Sequence, residues 1–312
     1  MNILVTGAFG NIGTSAVQEL LRQGHQARCL ARKTKRNERA ARRFAGKIEI
    51  AWGDIRRPAD LEAAVAGQEV IVHLAYALPQ FCNEQPDVAR EINVNGTKYL
   101  LEAAKKQPRP PKFLFASSLT VFGYTQGQPP PRRVSDPVQA TDSYTAHKLE
   151  CEAMVQASGL EWSILRFADT PPHAPQPLMF EVPLDTRIEV LHTADAGLAI
   201  ANAVTCEAIW GNILLIGGGP RCQIYYRDYL GKVFAALGLR PLPERAFSRK
   251  PYPTDWLDTE ESQRWLSYQR SSFDDIVRDL AHQLRFQRPF IPLLRPFLYR
   301  WMLGMSPYAR KR

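Results

Sequence analysis

A run of three glycines, Gly7, Gly10 and Gly13, constrains the fold of this chain more than any other feature. The run separates residues 3–5, an apolar stretch typical of a buried strand, from residues 14–23, whose pattern predicts a helix. At such a turn the first glycine permits a tight bend, the second admits a phosphate, and the third allows helix and strand to pack closely. The helix N-terminus adds partial positive charge. An ordinary strand-to-helix turn is the alternative, but the flanking segments favour a dinucleotide site.

Strand-like and helix-like segments alternate along most of the chain, which predicts parallel βαβ units and a doubly wound, Rossmann-type α/β sheet. Five prolines between residues 171 and 183 interrupt this pattern and predict a loop over a substrate pocket. We therefore predict an interleaved organisation with a smaller C-terminal substrate lobe. The Rossmann domain takes residues 1–166, with 188–216 returning to it; the substrate lobe takes 167–187 and 217–284; a basic, apolar arm takes 285–312.

Composition predicts a cytoplasmic protein that needs neither disulfides nor a metal. A chain of 312 residues can bury a sizeable core by itself. No charged and apolar leader precedes the first strand, and no apolar run has the length of about 18 residues that a membrane span requires. The five cysteines are odd in number, scattered, and without metal-ligand spacing; they are Cys29, Cys82, Cys151, Cys206 and Cys222.

The end of the second predicted strand, residues 27–31, indicates which dinucleotide is bound. An acidic residue there would bind the ribose hydroxyl of NAD, but this chain has Arg32 and Lys33. A guanidinium or ammonium group at this point can pair with the 2′-phosphate of NADP. We therefore predict NADP, with NAD remaining open. A solvated basic loop is the alternative, and we expect no nucleic-acid partner because no aromatic residues are interleaved with these charges.

A serine, a tyrosine and a lysine form the predicted catalytic set. Tyr144 and Lys148 are four residues apart and so share one face of a predicted helix. A free tyrosine has a pKa of about 10, and a neighbouring ammonium group favours its phenolate. Ser118 follows the predicted strand at 113–116 and can hydrogen-bond a substrate oxygen. Spacing of this kind also occurs in exposed helix pairs, and its weight comes from its position after the nucleotide turn and the serine-bearing strand.

Several motifs, in order along residues 1–220, resemble the extended short-chain dehydrogenase/reductase family, the NAD(P)-dependent epimerase/dehydratase group. They are TGAFGNIG (6–13), GD (53–54), VHLA (72–75), NVNGT (93–97), SSLTVFG (117–123), YTAHK (144–148) and LHTAD (191–195). The resemblance implies that Asp54 and Ile55 flank the adenine, that Leu74 and Ala75 line the cofactor, and that Asn93 supports the active site. The residues predicted to bind the cofactor are Gly7, Phe9, Gly10, Asn11, Ile12, Gly13, Arg32, Lys33, Asp54, Ile55, Leu74, Ala75, Tyr144 and Lys148; those predicted to be catalytic are Ser118, Tyr144, Lys148 and Asn93.

The resemblance also implies that Lys148 holds the nicotinamide ribose and that Ser118, rather than Ser117, matches the catalytic serine. Family members that dehydrate nucleotide sugars resemble one another in an acidic pair after this serine, where this chain has Leu119 and Thr120. Dehydration is therefore not expected. A small or apolar substrate is favoured because only a short segment joins residues 166 and 192. Candidate pocket walls, with core packing as the alternative for each, are Phe122, Tyr76, Phe167, Met179 and Phe180.

The leading hypothesis is an NADP(H)-dependent oxidoreductase that moves a hydride between nicotinamide and a carbonyl or alcohol, with Tyr144 as acid/base. Two alternatives remain open. One is a sugar or nucleotide-sugar epimerase that uses a tightly bound cofactor transiently. The other is a non-catalytic NADP-sensing regulator, which the presence of both Tyr144 and Lys148 disfavours.

The last segment of the chain combines positive charge with apolar residues. No acidic residue follows Asp279, and part of the net charge of +9 lies here. Such a segment can lie in a lipid interface, giving peripheral membrane contact; the alternative is an arm that packs on the substrate lobe or on the partner of a homodimer. Pro289, Pro292 and Pro296 predict that it is not one long helix. The basic residues are Arg285, Arg288, Arg295, Arg300, Arg310, Lys311 and Arg312.

Overall fold

A seven-stranded sheet with the strand order β3-β2-β1-β4-β5-β6-β8 forms the centre of the molecule, and every neighbouring pair in it is parallel. The computed structural model describes residues 1–171, 175–286 and 291–309. The strands are β1 (Asn2–Thr6), β2 (Gln26–Ala31), β3 (Glu49–Trp52), β4 (Val70–His73), β5 (Lys112–Ser118), β6 (Trp162–Phe167), β7 (Arg187–Glu189), β8 (Ile213–Ile216) and β9 (Gln223–Tyr225). The predicted doubly wound Rossmann-type fold is confirmed.

Helices cover both faces of this sheet. They are α1 (Asn11–Arg22), α2 (Lys35–Ala41), α3 (Pro58–Val65), α4 (Pro79–Glu84), α5 (Pro86–Arg90), α6 (Gly96–Lys105), α7 (Ser143–Gln156), α8 (Thr193–Ala203), α9 (Tyr226–Leu237), α10 (Glu260–Leu266), α11 (Phe273–Gln283) and α12 (Ile291–Met305). Buried side chains of α1 and α8 form the core on one face, and those of α3, α6 and α7 form the core on the other. Burial on both faces explains the nearly continuous apolar strands.

The smaller C-terminal lobe has its own core, in which Phe180, Phe234, Phe247 and Met302 are buried. Residues 188–216, which were predicted to return to the Rossmann domain, divide between two sheets. Strands β7 and β9 pair with each other, antiparallel, in a separate two-stranded sheet. Helix α8 and strand β8 lie with the main sheet, because β8 pairs with β6 and α8 packs on α1.

The buried carboxylate of Glu189 joins segments that are distant in the sequence. It accepts hydrogen bonds from the backbone N–H groups of Gly219 (2.9 Å) and Leu257 (2.7 Å) and from the Gln223 side-chain amide (3.0 Å). Burial raises the pKa of this carboxyl group to about 7. Three donors around one acid hold the crossing between the two lobes, and no motif in the sequence indicated it.

The C-terminal arm contains a helix of 15 residues, α12, which the sequence did not predict because of its prolines. Pro292 falls in the first turn, where its missing N–H group would have no intrahelical partner. Pro296 lies inside the helix and costs stability, but Met302 of α12 is buried in the lobe core, which offsets this cost. The arm predictions for Arg288, Pro289, Arg310, Lys311 and Arg312 lie outside the described residues.

Candidate active site

The glycine turn between β1 and α1 has the geometry that a bound pyrophosphate requires. Gly7 has a φ of +68°, and a Cβ atom there would lie 2.7 Å from the backbone nitrogen of Ala75. A Cβ atom on Gly13 would lie 2.2 Å from the carbonyl oxygen of Gly7, so helix and turn could not pack with any side chain at that position. Gly10 precedes the first residue of α1, and no side chain caps this helix. The N-terminus of α1 therefore brings its partial positive charge to the turn, and the turn fits a dinucleotide.

The other residues of this turn hold it against the protein. Phe9 and Ile12 are half-buried and pack against the core shared by α1 and α8. Asn11, the first residue of α1, donates a hydrogen bond from its side-chain amide to the Thr170 hydroxyl at 3.2 Å. This bond connects the nucleotide turn to the segment after β6, on the side where a substrate would meet the cofactor.

The exposed side chains of Arg32 and Lys33 follow β2 directly, and neither takes part in an ion pair among the residues that the structure describes. Asp54, which was predicted to flank the adenine, is bound by the Arg56 guanidinium, with Nε–Oδ1 and Nη2–Oδ2 distances of 3.0 and 2.6 Å. This hydrogen bonding, with the charges of Arg56 and Arg32, lowers the pKa of the Asp54 carboxyl group. The end of β2 therefore presents positive charge. Ile55 is 8% exposed, which leaves it little surface for an adenine.

A buried polar chain supports the strand ends beneath the cofactor turn. The Thr6 hydroxyl accepts hydrogen bonds from the N–H groups of Leu74 (3.2 Å) and Ala75 (3.1 Å). It also lies 2.7 Å from the His73 ring Nδ1, whose other nitrogen is 2.9 Å from the Thr97 hydroxyl. Burial lowers the pKa of His73 to about 3, so the ring is neutral. Thr6, His73 and Thr97 each fall in one of the family motifs, but no role was predicted for them; the structure shows that they connect β1, β4 and α6.

Ser118 and Tyr144 come together at the C-terminal edge of the sheet. Ser118 ends β5, and Tyr144 lies in the first turn of α7, which a capping box of Asp142 and Thr145 begins. Burial raises the pKa of Tyr144, and a hydrogen bond with Ser118 acts in the opposite direction. Because burial dominates, the phenol is protonated near neutral pH and can act as an acid.

Lys148 lies one turn further along α7 but points beneath the tyrosine. Its Nζ donates to the Ala116 carbonyl oxygen at 2.6 Å and lies 3.4 Å from the centre of the Tyr76 ring. The distance from Nζ to the centre of the Tyr144 ring is 5.8 Å. Burial lowers the pKa of Lys148 to about 7. The sequence predicted that this ammonium would lower the pKa of Tyr144; in the structure its closest aromatic contact is Tyr76 instead.

Ser117 has the contacts of a packing residue, and it was Ser118 that was predicted to be catalytic. Its hydroxyl donates to Glu152 Oε1 at 2.5 Å, and Glu152 forms a buried ion pair with Arg166 at 2.7 Å. These contacts tie α7 to β5 and β6. Ser117 is 5% exposed. Because neighbouring residues of a strand point to opposite faces of the sheet, its side chain and that of Ser118 lie on opposite faces.

Asn93 is buried in a π-helical segment, Glu91–Asn95, between α5 and α6. Its Oδ1 accepts a hydrogen bond from the Ala77 N–H at 2.7 Å, and its Nδ2 donates to the Ala77 carbonyl at 3.3 Å. The side chain therefore holds the segment that follows Ala75 and Tyr76. This contact makes Asn93 a positioning residue for that segment.

The predicted pocket walls divide into two groups. Phe122, Phe167 and Phe180 are buried in the cores, at 4%, 5% and 0% exposure, so core packing is their role. Tyr76 and Met179 stay partly accessible. The sequence reasoning missed Asp169, two residues after β6, whose carboxylate accepts a hydrogen bond from the Thr254 hydroxyl at 3.1 Å. Surrounding protein raises the pKa of this acid to about 6, while one side of the residue stays open to solvent.

The residues that the structure describes contain no group of three or more histidine, cysteine, aspartate or glutamate side chains placed to hold a metal ion. None of their helices combines the length and the apolar character needed to cross a membrane.

A parallel sheet, a glycine cradle at its first turn and a Ser/Tyr/Lys arrangement at its carboxyl edge define an NAD(P)-binding Rossmann protein of the short-chain dehydrogenase/reductase type. The model of the NAD dependent epimerase/dehydratase family matches residues 3–169. The chain belongs to that family.

Individual relatives are similar over part of the chain. The photosystem II assembly factor Ycf39 of Cyanophora paradoxa is 33% identical over 126 residues, which are 40% of this chain and 37% of that protein. UDP-glucose 4-epimerase of Halalkalibacterium halodurans is 30% identical over 174 residues, 54% of this chain and 50% of that enzyme. The chain therefore matches half or less of the length of these curated relatives.

Solved structures share the fold over nearly the whole chain. UDP-glucose-4-epimerase from Stenotrophomonas maltophila, with bound NAD and formylated UDP-arabinopyranose, has a TM-score of 0.77 at 21% identity, covering 92% of this chain and 98% of that one. At this identity the likeness establishes the fold alone.

Proposed function

We propose that this protein is an NADP(H)-dependent oxidoreductase that reduces a small or apolar carbonyl compound, or oxidises the corresponding alcohol. The observation that carries the proposal is the placement of Ser118 at the end of β5 near Tyr144 in the first turn of α7, with Lys148 one turn along the same helix. Retention of all three groups in one place supports turnover rather than a purely regulatory role.

Each residue of the set has a distinct task in the proposed reaction. When bound, the dinucleotide supplies or accepts the hydride at the substrate carbon. Tyr144, protonated near neutral pH, gives its proton to the substrate oxygen in reduction and takes it back in oxidation. The Ser118 hydroxyl orients the same oxygen. Lys148, with a pKa of about 7, holds the nicotinamide ribose and supplies positive charge below Tyr144 when it is protonated.

The glycine turn and the end of β2 would bind different parts of the cofactor. Gly7, Gly10 and the N-terminus of α1 would take the pyrophosphate, because a Cβ atom on Gly7 would clash with the backbone of residues 74 and 75. Arg32 and Lys33 would pair with a 2′-phosphate. The exposed positions of both side chains support NADP over NAD.

A nucleotide-sugar epimerase is the second candidate function, and the relatives named UDP-glucose 4-epimerase favour it. Such an enzyme would copurify with its cofactor and show no net change in NADPH. Against dehydration, Leu119 and Thr120 stand where an acidic pair would serve the elimination step, and Leu119 is buried.

The decisive experiment begins with denaturation of the purified protein and mass spectrometry of any released nucleotide. The protein is then screened with NADPH and a panel of carbonyl compounds, followed by absorbance. We expect the released nucleotide to be NADP(H). We expect added NADPH to be consumed stoichiometrically with at least one carbonyl compound. Epimerised sugar nucleotide without net NADPH consumption would instead support the second candidate.

Replacing Arg32 with Asp should weaken NADPH binding far more than NADH binding, by about tenfold or more for the phosphorylated cofactor, since it removes a charge-assisted hydrogen bond and adds repulsion. Isothermal calorimetry with both cofactors measures the effect. The matched control is Arg39→Asp, an exposed arginine on α2 beyond the end of β2. Unchanged NADPH affinity in Arg32→Asp, or a wild-type preference for NADH, would contradict the NADP assignment.

A further inference from the structure

The two sides of α12 have different surroundings. On the inner side, Met302 is 2% exposed, and the Arg295 guanidinium donates to the Gly238 carbonyl oxygen at 2.6 Å. After the helix, the Ser306 hydroxyl donates to the Ala246 carbonyl oxygen, also at 2.6 Å. The helix is therefore anchored on the C-terminal lobe, and its outward side has a fixed orientation.

The outward side of α12 is apolar and aromatic. Its large side chains are exposed by 47% to 79% and recur at the spacing of one helical face; they are Leu293, Leu294, Phe297 and Trp301, which we call the apolar face. Phe286, before the helix, is 72% exposed. Side chains of this size would normally be buried, so a contiguous group of them in this position indicates a contact with something else.

Positive charge borders the apolar face. Arg300 and Arg245 are exposed, and together they line a groove of about 280 Å³ beside α12. Neither takes part in an ion pair within the part of the chain that the structure describes. The chain carries no acidic residue after Asp279. A second copy presenting the same surface would be repelled, whereas an anionic surface would be attracted.

We propose that the apolar face and its basic border dock the protein on an anionic lipid surface. Trp301, Phe297 and Leu293 would enter the boundary between headgroups and acyl chains, where aromatic and leucine side chains are stable. Arg300 and Arg245 would meet headgroup phosphates through the groove between them. Because the anchored side of α12 keeps its contacts with the lobe, docking needs no rearrangement of the fold.

Sedimentation with vesicles tests this docking in the full-length protein. Vesicles of phosphatidylcholine with about 30% phosphatidylserine should bind the protein at low salt, pure phosphatidylcholine vesicles should bind it weakly, and binding should fall as salt rises. Arg245→Gln with Arg300→Gln should weaken binding by about 25-fold, or about fivefold per charge. The control with the same net charge is Arg42→Gln with Arg43→Gln, which should bind as the wild type does.

The apolar contribution is tested separately with Phe297→Ser and Trp301→Ser combined. Both side chains are exposed, so the melting temperature should stay close to that of the wild type while vesicle binding is lost. Leu178→Ser, an exposed leucine of the same lobe, is the control. Equal binding to neutral and anionic vesicles, no binding at low salt, or a dimer in light scattering that the Phe297/Trp301 variant dissociates would each overturn the proposal.

Discussion

A Tyr144→Phe variant should retain dinucleotide binding and lose turnover by about 10²-fold or more, the loss expected when a general acid/base is removed. In the proposed reaction the phenol exchanges a proton with the substrate oxygen, and it lies near Ser118 at the carboxyl edge of the sheet. The glycine turn and the basic end of β2 remain unchanged. Steady-state kinetics with the substrate from the carbonyl screen, together with calorimetric cofactor binding, separate these two effects.

Tyr99→Phe provides the matched control, because Tyr99 packs against the core on the α6 side and lies outside the Ser/Tyr/Lys set. It should keep full activity. If Tyr144→Phe turns over at a rate near that of the wild type, the proton must come from another group, and Asp169, whose pKa is raised to about 6, is the next residue to replace.

Arg166→Leu should lower the free energy of unfolding by about 3–5 kcal/mol, since it leaves the Glu152 carboxylate buried and unpaired. In the native protein Glu152 accepts two hydrogen bonds from Arg166, at 3.0 and 2.7 Å, and both residues are 4% exposed. Chemical denaturation followed by circular dichroism measures the change.

The double variant Arg166→Leu with Glu152→Leu tests the cause of this loss. Replacing both charges with apolar side chains removes the unpaired carboxylate, so most of the lost stability should return. A single variant that loses less than about 1 kcal/mol would place the pair among weak, solvent-screened contacts and contradict its burial.

Motif order and sheet topology explain how much of the site was predictable. Gly7, Ser118 and Tyr144 each follow a strand or begin a helix, and parallel strands bring such positions to one edge of the sheet. Chain order therefore sufficed to predict that these residues assemble. The choice of Ser118 over Ser117 came from the family resemblance, and the structure adds that neighbouring residues of a strand point to opposite faces.

The directions of side chains and the pairing of distant segments could not be predicted from chain order. Lys148 was expected to act on Tyr144, but where its Nζ lies depends on the carbonyl and ring that surround it in three dimensions. Ile55 packs against Gly96, a contact between segments that the sequence does not relate. Strand β7 has only three residues, too few for a clear alternation, and its partner β9 lies beyond β8.

The interleaving of the two lobes sets a limit on when this protein can fold during its synthesis. Strand β8 (Ile213–Ile216) completes one edge of the main sheet, and the Glu189 carboxylate finds its last donor only at Leu257. The ribosome must therefore release most of the chain before the nucleotide-binding half can close. Until then β6 has no partner strand on one side and its apolar residues are exposed. We therefore expect the nascent chain to need a chaperone over a long interval.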